Sequence, residues 1–186
     1  MASTKIERVD LGDALYEYGG DDYLLVQTSE EMSFDANFKA QAVCQEINER
    51  DPPGLIEVAP ANASYLLHFD PSELHPDDLI EELKSIENEI DLTDFAWEAN
   101  VIDIPTLFDD PWTHETLMRF RDRHQDPEGT DLDYSAKING FDSAESFIEY
   151  FSSSPHLVTM VGFVPGLPWA YLMVPREDQI EVPKYA

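Results

Sequence analysis

Apolar positions along the first half of the chain come in short alternating runs and longer helical ones, separated by Pro, Gly and Asp clusters. Leu15-Tyr-Glu-Tyr18 and Tyr23-Leu-Leu-Val-Gln27 flank Gly19-Gly-Asp-Asp22, which reads as two short strands around a turn. Ser33 is placed to cap a helix over Phe34–Glu49, with Asp35 suiting the positive end of the helix dipole and no breaker before Asp51-Pro-Pro-Gly54. Leu55-Ile-Glu-Val-Ala59 and Ala63-Ser-Tyr-Leu-Leu-His-Phe69 predict a second strand pair, joined through Pro60-Ala-Asn62. Pro76-Asp-Asp78 opens a second helix whose Leu79, Ile80, Leu83 and Ile86 form the apolar side. Its Glu81, Glu82, Glu87 and Glu89 read as a solvated face. This order of elements predicts a small α+β domain with its helices on one face of an antiparallel sheet.

The pattern changes after residue 95. Glu98-Ala-Asn-Val-Ile-Asp-Ile-Pro105 predicts a strand that begins a second domain, giving units of 1–95 and 96–186. Thr113–Arg123 reads as a helix, with Leu117 and Phe120 on one side, and His124–Asp131 has loop composition. Ser143 or Asp142 caps a further helix through Phe147 to Phe151, which Ser152-Ser-Ser-Pro155 ends. Val158–Val164 and Trp169–Val174 then read as two strands turning on Pro165-Gly166. Gly162 and Gly166 leave room for close approach to the backbone, and Arg176 is the one cation of the run. From those residue types alone, a buried hairpin with an exposed arginine is favoured over the wall of a site.

Charge narrows the partners. With 39 Asp and Glu against 11 Lys and Arg, the net charge is -28, and the acids are spread along the chain. Such a surface repels nucleic acid and anionic membrane, so neither is expected as a partner. A high-salt cytoplasm, pairing with a basic subunit, and an acidic protein of ordinary habitat all fit the charge. A hydrophobic content of 42% is that of a folded protein. No run approaches the ~20 apolar residues of a membrane helix, the N-terminus lacks a signal-peptide core, and a single cysteine suits a reducing cytoplasm. Cys44 itself falls within a helical pattern and reads as a core residue.

Self-contained catalytic sets are absent: there is no nucleophile elbow, Walker loop, zinc-protease helix or dinucleotide-binding glycine pattern. His68 lacks His or Cys neighbours at metal spacing, and His114 and His124 do not share a helical face, so no metal site is expected.

The order of motifs resembles the family that includes allophanate hydrolase subunit 1, the B subunit of 5-oxoprolinase, and KipI. Gly20-Asp-Asp-Tyr-Leu-Leu-Val26 is similar to its opening motif. Ala59-Pro-Ala-Asn-Ala-Ser64 through Phe69-Asp-Pro71 is similar to its middle motif, and Val101-Ile-Asp-Ile-Pro105 to the start of its second domain. Gly162-Phe-Val-Pro-Gly-Leu-Pro168 with Pro175-Arg176 resembles its signature and is the most specific match. The resemblance implies a small α+β sandwich followed by a cyclophilin-like β-barrel.

It further implies a subunit of a multi-subunit, ATP-dependent amide or lactam hydrolase, working with a companion barrel subunit 2 and a LamB/YcsF-type subunit. ATP would then belong to the complex, with no cofactor assigned to this chain. Two alternatives follow from the same resemblance: the carboxyltransferase half of a biotin-dependent, urea-type carboxylase, and an inhibitor of a sensor histidine kinase. On this reading Gly162, Phe163, Pro165, Gly166, Pro168, Tyr171 and Arg176 line a substrate site, Arg176 meeting a carboxylate or phosphate. Three departures qualify it. Leu167 replaces the signature's Phe, with Trp169-Ala170 inserted before Tyr171-Leu172. Phe151 stands where the family commonly has a His. The sequence ends at Val182-Pro-Lys-Tyr-Ala186, before the family's last strands, so the barrel is expected to be incomplete or completed by a partner.

Overall fold

The computed structural model describes residues 13–92, 96 and 98–181. They fall into two compact units, one built from 13–98 and 158–170, the other from 99–157 and 171–181.

In the first unit, β1 (Leu15–Tyr18), β2 (Tyr23–Gln27), β3 (Leu55–Pro60) and β4 (Ser64–Phe69) form an antiparallel sheet in the order β1-β2-β4-β3. Alternation decides the faces. Leu24 and Val26 of β2 stand opposite Leu67 and Tyr65 of β4 in the register, and all four are buried with Phe69. Two helices cover that face: α1 (Phe34–Arg50) contributes Ala40, Val43, Cys44 and Ile47, and α2 (Pro76–Glu89) contributes Leu79, Leu83 and Ile86. Each fully buried aliphatic side chain contributes about 1.5–3 kcal/mol.

The helix ends follow local chemistry. Ser33 Oγ accepts from the Ala36 N–H at the start of α1, and Asp51, at φ 42°, donates its N–H to Ile47 O at the end. Gly54 sits at φ +92°, where an added Cβ would lie 2.8 Å from Leu74 Cβ, so the turn into β3 admits only glycine. The expected solvated face of α2 needs correction at Glu87. Glu87, with only 11% of its side chain exposed, pairs with Lys39 at 2.9 Å and accepts from the Tyr16 and Tyr65 hydroxyls. Glu82 and Glu89 pair with Arg50 at 2.6 and 2.7 Å. Both acids bridge to α1 because helix packing brings Arg50 alongside, which spacing within α2 alone does not reveal.

The second unit holds α3 (Pro111–Phe120), a 3-10 turn at Arg121–Arg123, α4 (Asp131–Ile138) and α5 (Ala144–Phe151). Its interior is thin: Leu117, Ala136, Phe147 and Leu172 are buried. Aromatic edges supply much of the remaining packing, with Phe141 against Phe147 and Tyr150, and Phe151 against Phe108 and His156. Polar clasps hold residues 176–181: Asn139 exchanges two 2.9 Å hydrogen bonds with the Glu181 backbone, and the Tyr150 hydroxyl donates to Asp178 O.

One expectation fails here, and one helix goes unpredicted. Residues 98–105 form no strand, and Val101 is 91% exposed. The run has strand-like residues, but no described strand pairs with it, and extended backbone becomes a strand only through a ladder. The unpredicted helix is α4, whose Thr130-x-x-Asp133 capping box starts it at the end of the 124–131 loop.

β5 (His156–Val161) and β6 (Pro168–Leu172) form a two-stranded sheet, the only one among the described residues of the chain's second half.

Candidate functional site

The signature turn between β5 and β6 is held by its own backbone. Gly162 N–H donates to Leu167 O at 3.0 Å, and Leu167 N–H donates to Val164 O at 3.1 Å. Gly166 occupies φ +80° with nothing within 4 Å of an added Cβ, so its role is conformational and its surroundings are open. Gly162 has no such constraint, and a Cβ there would meet Met160 Cε at 3.4 Å. Phe163, at φ 70° and 87% exposed, packs edge-on to Trp169, whose indole N–H donates to Gly162 O. Pro165 and Pro168 are exposed on the same turn.

The base of the hairpin is anchored by Thr159. This residue is 1% exposed, its hydroxyl donates to Asn62 Oδ1 at 2.6 Å, and its carbonyl accepts from Asn37 Nδ2 at 3.1 Å. Sequence reasoning passes over Thr159, because an alternating strand gives no sign that a threonine meets a buried asparagine from α1.

The remaining two expected site residues lie in the other compact unit. Tyr171 has a buried hydroxyl, and burial pushes its pKa up to about 12, so it stays protonated at neutral pH. Arg176 is exposed at the start of a 3-10 turn, Arg176–Asp178. The structure therefore brings Gly162, Phe163, Pro165, Gly166 and Pro168 together on one turn.

A second constellation lies wholly within the helical unit. An open cavity of about 720 Å³ is lined by α3, the following 3-10 turn and the first residue of α4, including Leu117, Phe120, Arg123, His124 and Asp131. His124 is 5% exposed in its side chain, and its Nε2 lies 3.0 Å from Asp131 Oδ1. An ionised carboxylate only accepts, so Nε2 carries the proton. Nδ1 of the neutral ring then accepts from the Asp126 N–H at 3.0 Å, while Asp126 O, 2.6 Å away, is the acceptor an imidazolium would meet. Both ring nitrogens are thus engaged, and the ring fixes Asp131 at the rim. Pattern reading misses this pair because its members stand seven positions apart across a loop, and only the closure of that loop brings them within hydrogen-bond distance. Among the described residues, no group of three or more His, Cys, Asp or Glu is placed to hold a metal ion.

Set against known proteins, residues 15–186 match the family described as carboxyltransferase domain, subdomain C and D. The chain is 24% identical over 159 residues to the B subunit of 5-oxoprolinase from Bacillus subtilis (strain 168), a match covering 81% of this chain and 59% of that protein. It therefore spans less than two thirds of that relative. Among solved structures, Kluyveromyces lactis urea carboxylase superposes with a TM-score of 0.72 at 24% identity, over 91% of this chain and 16% of that one. The K. lactis urea amidolyase gives the same TM-score and identity over 91% of this chain and 11% of that one. At that identity the structural likeness establishes the fold alone.

Proposed function

The chain belongs to the carboxyltransferase domain, subdomain C and D family, and from that premise we propose that it is a subunit of a multi-subunit amide or lactam hydrolase of the 5-oxoprolinase type. The observation that carries this reading is the match to the 5-oxoprolinase B subunit across 81% of the chain. A companion barrel subunit and a LamB/YcsF-type subunit complete the enzyme, and ATP is consumed by the assembly. In this reading the sheet and helices of residues 13–92 belong to its N-terminal α+β domain, and residues of the chain's second half contribute to a cyclophilin-like barrel.

In this reading the Gly162–Pro168 turn shapes the substrate pocket. Its exposed Phe163 and Trp169 supply apolar surface, and the open space around Gly166 lets a ligand or partner approach the backbone. Arg176 supplies the charge, its guanidinium fork matching a substrate carboxylate. Tyr171, held protonated by burial, serves as a hydrogen-bond donor and not as a base.

The test is reconstitution of the chain with its companion subunits. The complex opens 5-oxoproline with consumption of ATP, avidin has no effect, and Arg176→Ala lowers kcat/KM by roughly tenfold or more, the worth of one charge-assisted pair. Equal turnover by Arg176→Ala removes Arg176 from the site. The fold likeness to urea carboxylase supports a second reading, in which this chain is part of a biotin-dependent carboxyltransferase. Avidin-sensitive carboxyl transfer without lactam opening would establish that reading in place of the first.

A further inference from the structure

The cavity beside α3 holds two opposite charges that do not pair with each other. Arg123 and Asp131 both line it, yet Arg123 makes no ion pair or hydrogen bond among the described residues. Among the described residues, then, the Arg123 guanidinium lines the cavity with its donors unused, which suits an anionic group. Asp131 is fixed by the buried His124, which occupies only Oδ1 at 3.0 Å. The carboxylate's remaining capacity points to a donor. Two hydroxyls also line the cavity, but Thr113 donates to Asp110 and Thr116 to Trp112 O, so toward a ligand they act as acceptors. Arg123 is thus the cavity's cation, several acceptors surround it, and Leu117 and Phe120 give it an apolar floor.

We infer that this cavity binds an α-amino acid with an apolar side chain. The carboxylate sits on Arg123, the ammonium donates to Asp131 and the threonine oxygens, and the side chain lies on Leu117 and Phe120. The net field of the protein favours the same choice. A free carboxylate or phosphate is repelled by a strongly acidic surface, whereas a zwitterion carries no net charge and offers one pole to each wall residue. His124, which also lines the cavity, acts as a positioning residue, since its Nε2 is engaged by Asp131 and its Nδ1 by the Asp126 backbone, which leaves neither nitrogen for the ligand. Binding to this chain alone needs no companion subunit, so it stands or falls apart from the lactam reading.

The experiment is isothermal titration calorimetry of the whole chain with L-leucine, accompanied by ¹H–¹⁵N spectra of the histidine rings. L-Leucine binds saturably and shifts the His124 ring signals. 4-Methylpentanoate, which lacks the ammonium, and isoamylamine, which lacks the carboxylate, each bind roughly tenfold more weakly or worse. Arg123→Ala and Asp131→Asn each lose roughly tenfold in affinity for L-leucine, while Arg123→Lys, which keeps the charge and loses the fork, falls between. Arg123 is exposed, so its variants keep the parent's circular dichroism and serve as the folded control for Asp131→Asn. Absence of saturable L-leucine binding, unchanged affinity in Arg123→Ala, or equal binding of the carboxylate lacking an ammonium each overturns the inference.

Discussion

Residues 15–89 bury leucine, isoleucine, valine, tyrosine and phenylalanine from four strands and two helices in one continuous cluster, whereas residues 99–157 bury Leu117, Ala136 and Phe147 and rely on aromatic edges. The polar groups divide the other way. In the sheet unit they serve structure: Glu87 takes Lys39 and two tyrosines, and Arg50 takes three glutamates. In the helical unit His124, Asp131 and Arg123 face a cavity. Stability therefore resides mainly in the sheet unit, and groups available for ligands lie mainly where packing is sparse. That is the usual relation between low local stability and function.

The largest test of this contrast is Leu67→Ala. Leu67 is fully buried in the central strand pair, and its truncation costs about 2–5 kcal/mol, read as a fall in urea midpoint for the sheet unit. Gly54→Ala comes next, at about 2–3 kcal/mol. It combines a positive φ with a 2.8 Å approach to Leu74 Cβ, and an unchanged midpoint would show that the turn relaxes freely. Leu117→Ala costs about 1–2 kcal/mol and leaves hydrogen-exchange protection of β2 and β4 intact. Loss of protection in those strands would show that the two units unfold as one.

Cys44 gives the smallest effect. Burial pushes its thiol up to about 12, so it reacts slowly with a disulfide reagent at about pH 8 and rapidly once the sheet unit opens. A raised folded pKa means the contribution to stability is complete below the unfolded thiol's ~8.5 and is lost as pH rises toward about 12. Fast labelling of the native protein would contradict the packed core around α1.

Legibility followed the same division. Where side chains bury against a sheet, period-2 and helical patterns are imposed by packing, and β1 to β4, α1 and α2 are readable to within a residue or two. In the second half, few positions are forced inward, so the pattern carries less information. The apolar run at 98–105 reads as a strand and is not one, because composition cannot supply a partner strand. α4 escapes notice although its capping box, Thr130 to Asp133, stands in the sequence. Of the candidate site, the signature turn and its glycines are readable from residue types and family resemblance. The His124–Asp131 pair is not, since only the closed loop brings those side chains within 3.0 Å. Glu87 is misread for a related reason: its partners come from β1, β4 and α1.

The most direct test of the central functional claim is an omission experiment on the reconstituted enzyme, counting 5-oxoproline opened per ATP consumed with and without this chain. Ring opening is expected to stop when this chain is left out and to return when it is restored. Ring opening at the same rate and ATP ratio in its absence would contradict the proposed role.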